Sequence, residues 1–299
     1  MKLSQILAHI PKPYMLCRDG EFSLLEQCTK IRAPGALTYL DREKFLPALG
    51  HPDISCVICT PELREKIPAH IEGIVTAENP KLIFFLLHNY LVEQAPKKET
   101  VIDKTAIIHP TAVIASRNVE IGPNVVIGAN AVIEENCILK KNVHIGANST
   151  VGAQNFDVIR DGDTQFMAKN GGWAQVDEGV EIASGTQIEG ATLTKDVTRI
   201  CPYVKIDNNV LIGHGSTIGA RTLIAAMTII SGNVSIGEDV FLGVGTVISN
   251  RIVIADRARI SLGSVVTKDV PADQTVTGNF AIPHQKFLKN LKKSIQENE

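Results

Sequence analysis

His214 stands in a stretch otherwise built of small, aliphatic and amide residues, "KIDNNVLIGHGSTIGARTLIAA" (205–226). Eighteen residues later comes Gly232, and seven residues earlier Asp207. An imidazole is the side chain best suited to taking up a proton near neutrality. A glycine leaves its backbone N–H approachable, and such an N–H can hold an oxyanion. Together they suit acyl transfer: the base accepts the proton of an attacking amine or hydroxyl while the N–H steadies the tetrahedral intermediate. No nucleophilic serine or cysteine is apparent beside His214, which favours direct attack over an acyl-enzyme. Asp207 is the candidate to orient the imidazole.

A period of six positions these residues. Steps of six from Ile206 run through Ile212, Ile218, Ile224, Ile230, Ile236, Leu242, Ile248, Ile254 and Ile260 to Val266, eleven aliphatics without a slip. Two residues before each stands a small or β-branched residue, from Val204 to Ser264. An earlier block, Ile121 to Val151, keeps the same rule, and Gly, Asn or Asp commonly follows the aliphatic with turn chemistry. Neither an α-helix nor an ordinary strand has this period; a parallel β-helix does. Three hexads close a triangular coil of eighteen residues, with the aliphatic inside and the small residue in the crowded corner. Coils stack at about 4.8 Å. His214 then faces outward at a corner, about 5 Å below Gly232.

The reading is of a mainly β protein in three parts: an α/β domain over 1–100, the β-helix over 101–270, and a C-terminal extension over 271–299. In the first part "ISCVICT" and "EGIVTA" read as strands and "NPKLIFFLLHNYLVEQ" as a helix capped by Asn79. The last part holds a basic amphipathic helix, "HQKFLKNLKKSIQENE". Two stretches interrupt the repeat: 153–179, an excursion with Phe156, Phe166 and the single Trp173, and roughly 189–203. Long excursions from a repeat body are usually functional.

Composition narrows the classes. Lys+Arg number 30 against 32 Asp+Glu, so no strong field recruits nucleic acid or an acidic membrane. The start lacks the apolar core of a signal peptide, and "LIFFLL" is too short to span a bilayer, so a soluble cytoplasmic protein is expected. Cys56 and Cys59 form a CxxC with no second pair or nearby histidine to complete a metal site, and read as buried thiols. No metal is expected. A zinc-dependent carbonic anhydrase on such a coil needs three clustered histidines, and His109, His144 and His214 are not so spaced. A bare scaffold would need neither His214 nor the excursion.

Three further stretches are specific in order. "VGAQNFDVIRDGD…GGWAQV", "KIDNNVLIGHGSTIGARTLIAA" and "TKDVPADQTVTGNFAIPHQKFLKNLKK" resemble the UDP-3-O-acylglucosamine N-acyltransferase family of lipid A biosynthesis over most of the chain. The resemblance implies that the coil is left-handed, where the ordinary crossover rule would favour right-handed. It implies a homotrimer with sites between subunits, and no cofactor beyond the acyl donor, the phosphopantetheine thioester of acyl carrier protein. His214 corresponds to the general base and Gly232 to the oxyanion donor. "GALTYLDREKFLPAL" looks like the uridine-binding segment, in which Tyr39 and Phe45 sandwich uracil. Asn155 and Phe156 would lie in the loop lining the substrate groove, with Asn208 and Arg251 as further substrate contacts. Lys289, Lys292 and Lys293 would meet acidic acyl carrier protein.

The sequence also departs from that pattern. Arg251 stands where the family has a second histidine, Glu189 in "TQIEGATLTKD" replaces an Asp, and Arg42 replaces a common Asn. The first hexapeptide block is more than a coil shorter than usual. These changes touch substrate and acyl-donor contacts more than the base. The expected activity is transfer of a 3-hydroxyacyl group to the amine of a UDP-3-O-acyl-glucosamine. The alternative is an acetyl- or short-acyl-CoA-dependent N-acyltransferase for another nucleotide-linked amino sugar.

Overall fold

The computed structural model describes residues 1–278 and 283–296. After a short helix α1 (Leu3–Leu7), the N-terminal part forms a five-stranded sheet. Its strands are β1 (Met15–Arg18), β2 (Leu24–Leu25), β3 (Ala36–Leu40), β4 (Ile54–Cys59) and β5 (Gly73–Thr76), in the order β1-β5-β4-β3-β2. Only β1 runs antiparallel to its neighbour. Helix α2 (Pro80–Gln94) begins where the sequence places it: the Asn79 carboxamide oxygen accepts the Leu82 N–H at 3.0 Å, with Pro80 in the first turn.

Alternation along β4 divides the core. Cys56 and Ile58 pack toward α2 with Phe84 and Phe85, while Val57 and Cys59 face a second cluster with Leu40 and Leu49. The two thiols therefore point to opposite faces of the sheet and cannot act as a pair. Burial pushes both up, Cys59 to about 11.

From Val101 to Val276 the chain winds as a left-handed β-helix of two- to four-residue strands in three parallel sheets. Val126 pairs with His144, and Lys205 with Leu223, each eighteen residues on. Ile206, Ile212, Ile218, Ile224 and Ile230 are buried inside, as the period requires. The small residues two places before them are buried too, and their hydroxyls serve the backbone: Ser216 Oγ donates to the Ser231 carbonyl at 3.1 Å, Thr222 Oγ1 to that of Gly237 at 3.0 Å.

The turns fall three residues after each aliphatic. Asn118, Asn124, Asn130, Asn136, Asn142 and Asn148 all take left-handed φ between 54° and 61°. Asparagine tolerates that conformation better than other side chains, and here its amide also reaches the next coil. Asn118 donates to Asn136 at 3.0 Å, Asn124 to Asn142 at 3.2 Å and Asn130 to Asn148 at 3.3 Å.

Both interruptions are narrower than the sequence reading of 153–179 and 189–203. The chain leaves the coil after Ala153 and rejoins it at Trp173, whose strand Trp173–Val176 pairs with Cys137–Leu139 below and Val197–Ile200 above. Trp173 is thus a coil residue, because inward Ala174, Val176, Val180 and Ile182 already restore the hexad. Between these points a hairpin, Val158–Asp161 with Thr164–Met167, lays Ile159 and Phe166 on the α2 core. The second interruption adds six residues to one coil, within the segment 190–196 between the strands Gln187–Glu189 and Val197–Ile200. Helix α3 (His284–Gln296) follows the coil; the remaining extension residues, 279–282 and 297–299, lie outside the described residues.

Candidate active site

His214, Gly232 and Asn250 form a column at one corner, each two residues past an inward aliphatic of stacked strands. Gly232 does not occupy a left-handed φ, so its backbone does not need glycine. Space does: a Cβ there would lie 2.5 Å from His214 Nε2. The imidazole edge rests on the bare backbone, and among the described residues the Gly232 N–H has no acceptor. The nearest hydroxyl along the chain, Ser216, is turned inward and fully buried, so it is no nucleophile for this corner.

The orienting group differs from the expectation. Asp207 follows the strand Lys205–Ile206 and His214 follows Leu211–Ile212, which belong to different sheets, so the two occupy different corners of the triangle. Asp207 instead accepts from Asn208 at 2.8 Å and lines a hollow of about 470 Å³ with His144 and Leu223. Asn208 sits at that same corner, accepting the Ser184 N–H at 3.1 Å, and takes no part in the His214 site of this chain. What does reach His214 comes from the end of the strand Gln187–Glu189 and from the inserted segment after it. Glu189 Oε2 accepts its backbone N–H at 2.9 Å, and Thr192 Oγ1 lies 3.5 Å from Nδ1.

A cavity of about 200 Å³ opens over the corner, lined by His214, Gly232, Asn250, Phe156 and, from the N-terminal domain, Tyr39 and Lys81. A second, of about 300 Å³, adjoins it and holds Tyr39, Phe45, Asp41, Arg42, Lys44 and Lys81. The two share Gln27, Tyr39, Lys81 and Arg251. The expected pair of aromatics thus borders one space: Tyr39 on β3, braced by Phe84 at 5.0 Å between ring centroids, and Phe45 on a short 3₁₀ segment, Glu43–Gly50. Burial lifts the Tyr39 phenol to about 12, so its ring stays neutral near pH 7. Lys81 and Arg251 in the shared part, with Arg42 and Lys44 in the larger cavity, make a cationic wall suited to phosphate. Among the described lining residues Asp41 and Asp157 offset it, the latter 3.8 Å from Lys81.

Phe156 lines the cavity as expected, with 81 % of its surface exposed. Asn155 does not line it. Its side chain is buried beneath, bonded to Asn170 and Thr192. Lys289, Lys292 and Lys293 lie on α3.

The sequence reading also missed the brace that holds the two domains together here. Arg32 pairs with Asp196 of the inserted segment and, at 3.6 Å, with fully buried Glu26. Lys30 reaches Asp196 at 3.5 Å and Asn233 at 3.4 Å, beside Gly232. No periodicity marks these residues; a cluster of Glu26, Lys30 and Arg32 ahead of the uridine-like segment was the only hint.

The coil and its repeats define the class. Residues 118–153 match the model of the bacterial transferase hexapeptide (six repeats), and 233–268 that of the hexapeptide repeat of succinyl-transferase. Fold and repeats place the chain among enzymes of the hexapeptide-repeat acyltransferase type. Similar solved structures include LpxA from Acinetobacter baumannii, 27 % identical, covering 63 % of this chain and 77 % of that one with a TM-score of 0.37. A UDP-N-acetylglucosamine acyltransferase from Campylobacter jejuni is 20 % identical over 60 % and 72 %, TM-score 0.48. One from Arabidopsis is 23 % identical over 64 % and 76 %, TM-score 0.44. No curated protein matches the chain. No helix among the described residues is long and apolar enough to cross a membrane.

Proposed function

We propose that the protein transfers a 3-hydroxyacyl group from the thioester of acyl carrier protein to the amine of a UDP-linked, 3-O-acylated glucosamine. The observation that carries this is the pair of adjoining cavities: aromatics and cations at one end, His214 with Gly232 at the other, and Tyr39, Lys81 and Arg251 common to both. A sugar nucleotide laid through them puts its base by Tyr39 and Phe45, its diphosphate along the cations and its amine by His214. The amine attacks the thioester carbonyl while His214 Nε2 takes its proton. The Gly232 N–H holds the oxyanion. Collapse breaks the C–S bond, and the imidazolium returns the proton to the departing thiolate. The exposed lysines of α3 suit an acidic carrier. Mass spectrometry of the product from a panel of acyl donors and UDP-amino sugars tests the reading; transfer from short-acyl-CoA alone would replace it with the CoA-dependent alternative.

Two features of the site have their own expected results. Stacked aromatic contacts contribute about 0.5–1.5 kcal/mol beyond area burial, so Phe45→Ala should weaken UDP binding about two- to tenfold. Tyr39→Ala should do the same, with added loss of stability because the ring also packs on Phe84. Unchanged UDP affinity by calorimetry in both variants would return these rings to a purely structural role. We also propose that the coil assembles as a homotrimer, its flat sheets packing face to face and burying exposed Leu223, Ile229 and Val253. Sedimentation equilibrium should give three chains per particle at micromolar concentration, and a stable monomer would refute it.

A further inference from the structure

Two amides, half-buried Asn170 and buried Asn155, lead through Thr192 to His214, and their backbone partners fix the polarity of the chain. Asn170 Nδ2 faces the carbonyls of Gly152 and Ala153 at 3.2 and 2.9 Å and must donate to them. Its Oδ1 is then the acceptor, taking Asn155 N at 3.3 Å and Asn155 Nδ2 at 2.6 Å. Asn155 Oδ1 accepts the Asp157 N–H at 3.1 Å, which independently fixes the same amide orientation. The other Nδ2 proton of Asn155 must therefore go to Thr192 Oγ1, 3.1 Å away. Asn155 and Thr192 are both more than nine-tenths buried.

Thr192 Oγ1 is left with one lone pair and one proton facing His214 Nδ1 at 3.5 Å. The other edge of the ring decides between them. Nε2 lies against Gly232, whose N–H has no acceptor among the described residues. In the proposed acyl transfer Nε2 takes up the amine's proton and so must be the unprotonated nitrogen, which leaves the proton of the neutral ring on Nδ1 and turns the Thr192 lone pair toward it. We propose that Thr192, held by Asn155 and Asn170, is the positioning residue that keeps the proton of neutral His214 on Nδ1 and leaves Nε2 unprotonated toward the cavity. The inference deepens the acyl-transfer reading and rests on it for its functional meaning. It assigns a task to the inserted segment 190–196: the added loop carries the hydroxyl that a regular coil would lack at this corner.

The test is nitrogen NMR on protein labelled with ¹⁵N-histidine, with the His214 signals assigned from the His214→Ala spectrum. At a pH well above imidazole titration, wild-type His214 should show a protonated Nδ1 and a pyridine-type Nε2, the reverse of the tautomer that free histidine prefers. Thr192→Val, which keeps the shape and removes the hydroxyl, should return the ring toward the Nε2–H tautomer; Thr192→Ser should retain Nδ1–H. With acyl donor and acceptor, kcat should fall ten- to a hundredfold in Thr192→Val at little-changed KM and recover in Thr192→Ser. A wild-type ring protonated on Nε2, or an Nδ1–H tautomer that persists in Thr192→Val, overturns the inference, and the wild-type spectrum does so even if the valine variant fails to fold. Were the tautomer to shift as expected while both Thr192→Val and His214→Ala turned over normally, the positioning would stand and the proposed function would fall.

Discussion

His214→Ala should lower kcat by about 10²–10⁴-fold, the usual contribution of a general base. The protein should keep its thermal transition and its affinity for UDP, because the ring sits at an outward corner and its removal opens no hole in the core. The test is steady-state kinetics on purified variant alongside calorimetry with UDP. Turnover near the wild-type rate would remove the base assignment. It would also leave no reason for a bare backbone above the imidazole, since the three atoms nearest to a Cβ at 232 all belong to His214.

The second large effect is expected at that glycine. Gly232→Ala keeps the N–H and adopts the same backbone without strain, so a lost conformational freedom cannot explain its consequence. The new methyl group would occupy the place of His214 Nε2, and the ring must rotate or shift to admit it. Misplacement of a reacting group by about 1 Å can cost roughly 10² in rate, and kcat should fall by that order. Stability should stay near wild type, as the imidazole can yield toward the cavity. Kinetics with a thermal melt separates the cases: wild-type kcat would mean that the ring position seen here is not the working one.

The β-helix was legible because its rule is arithmetical. Ile206 to Val266 could be counted off, and the same count recovers Gly232 above His214. Continued counting through Val176, Ile182 and Ile188 would have returned Trp173 to the coil as well. Asp207 misleads for a geometrical reason. In a three-cornered coil, residues about six apart stand at successive corners and only those eighteen apart share one, so seven residues of separation put Asp207 out of reach. Thr192, Asn155 and Arg32 follow no period; they arrive by loops and across a domain boundary, where contact depends on tertiary packing alone. The Tyr39–Phe45 pair was legible only through a resemblance, since two aromatics six apart have many ordinary explanations.

The corner column that carries His214 is also a measuring device. Gly232 and Asn250 mark successive graduations along it, and Arg251 stands beside the second. Two steps of about 4.8 Å set the guanidinium-bearing backbone roughly 10 Å from the base. Because the spacing is fixed by backbone hydrogen bonds rather than by side chains, substitutions elsewhere cannot stretch it. If an acceptor lies along this column as proposed, the distance between its anionic end and its reacting amine is gauged in whole coils, and changing it would take the gain or loss of eighteen residues at once.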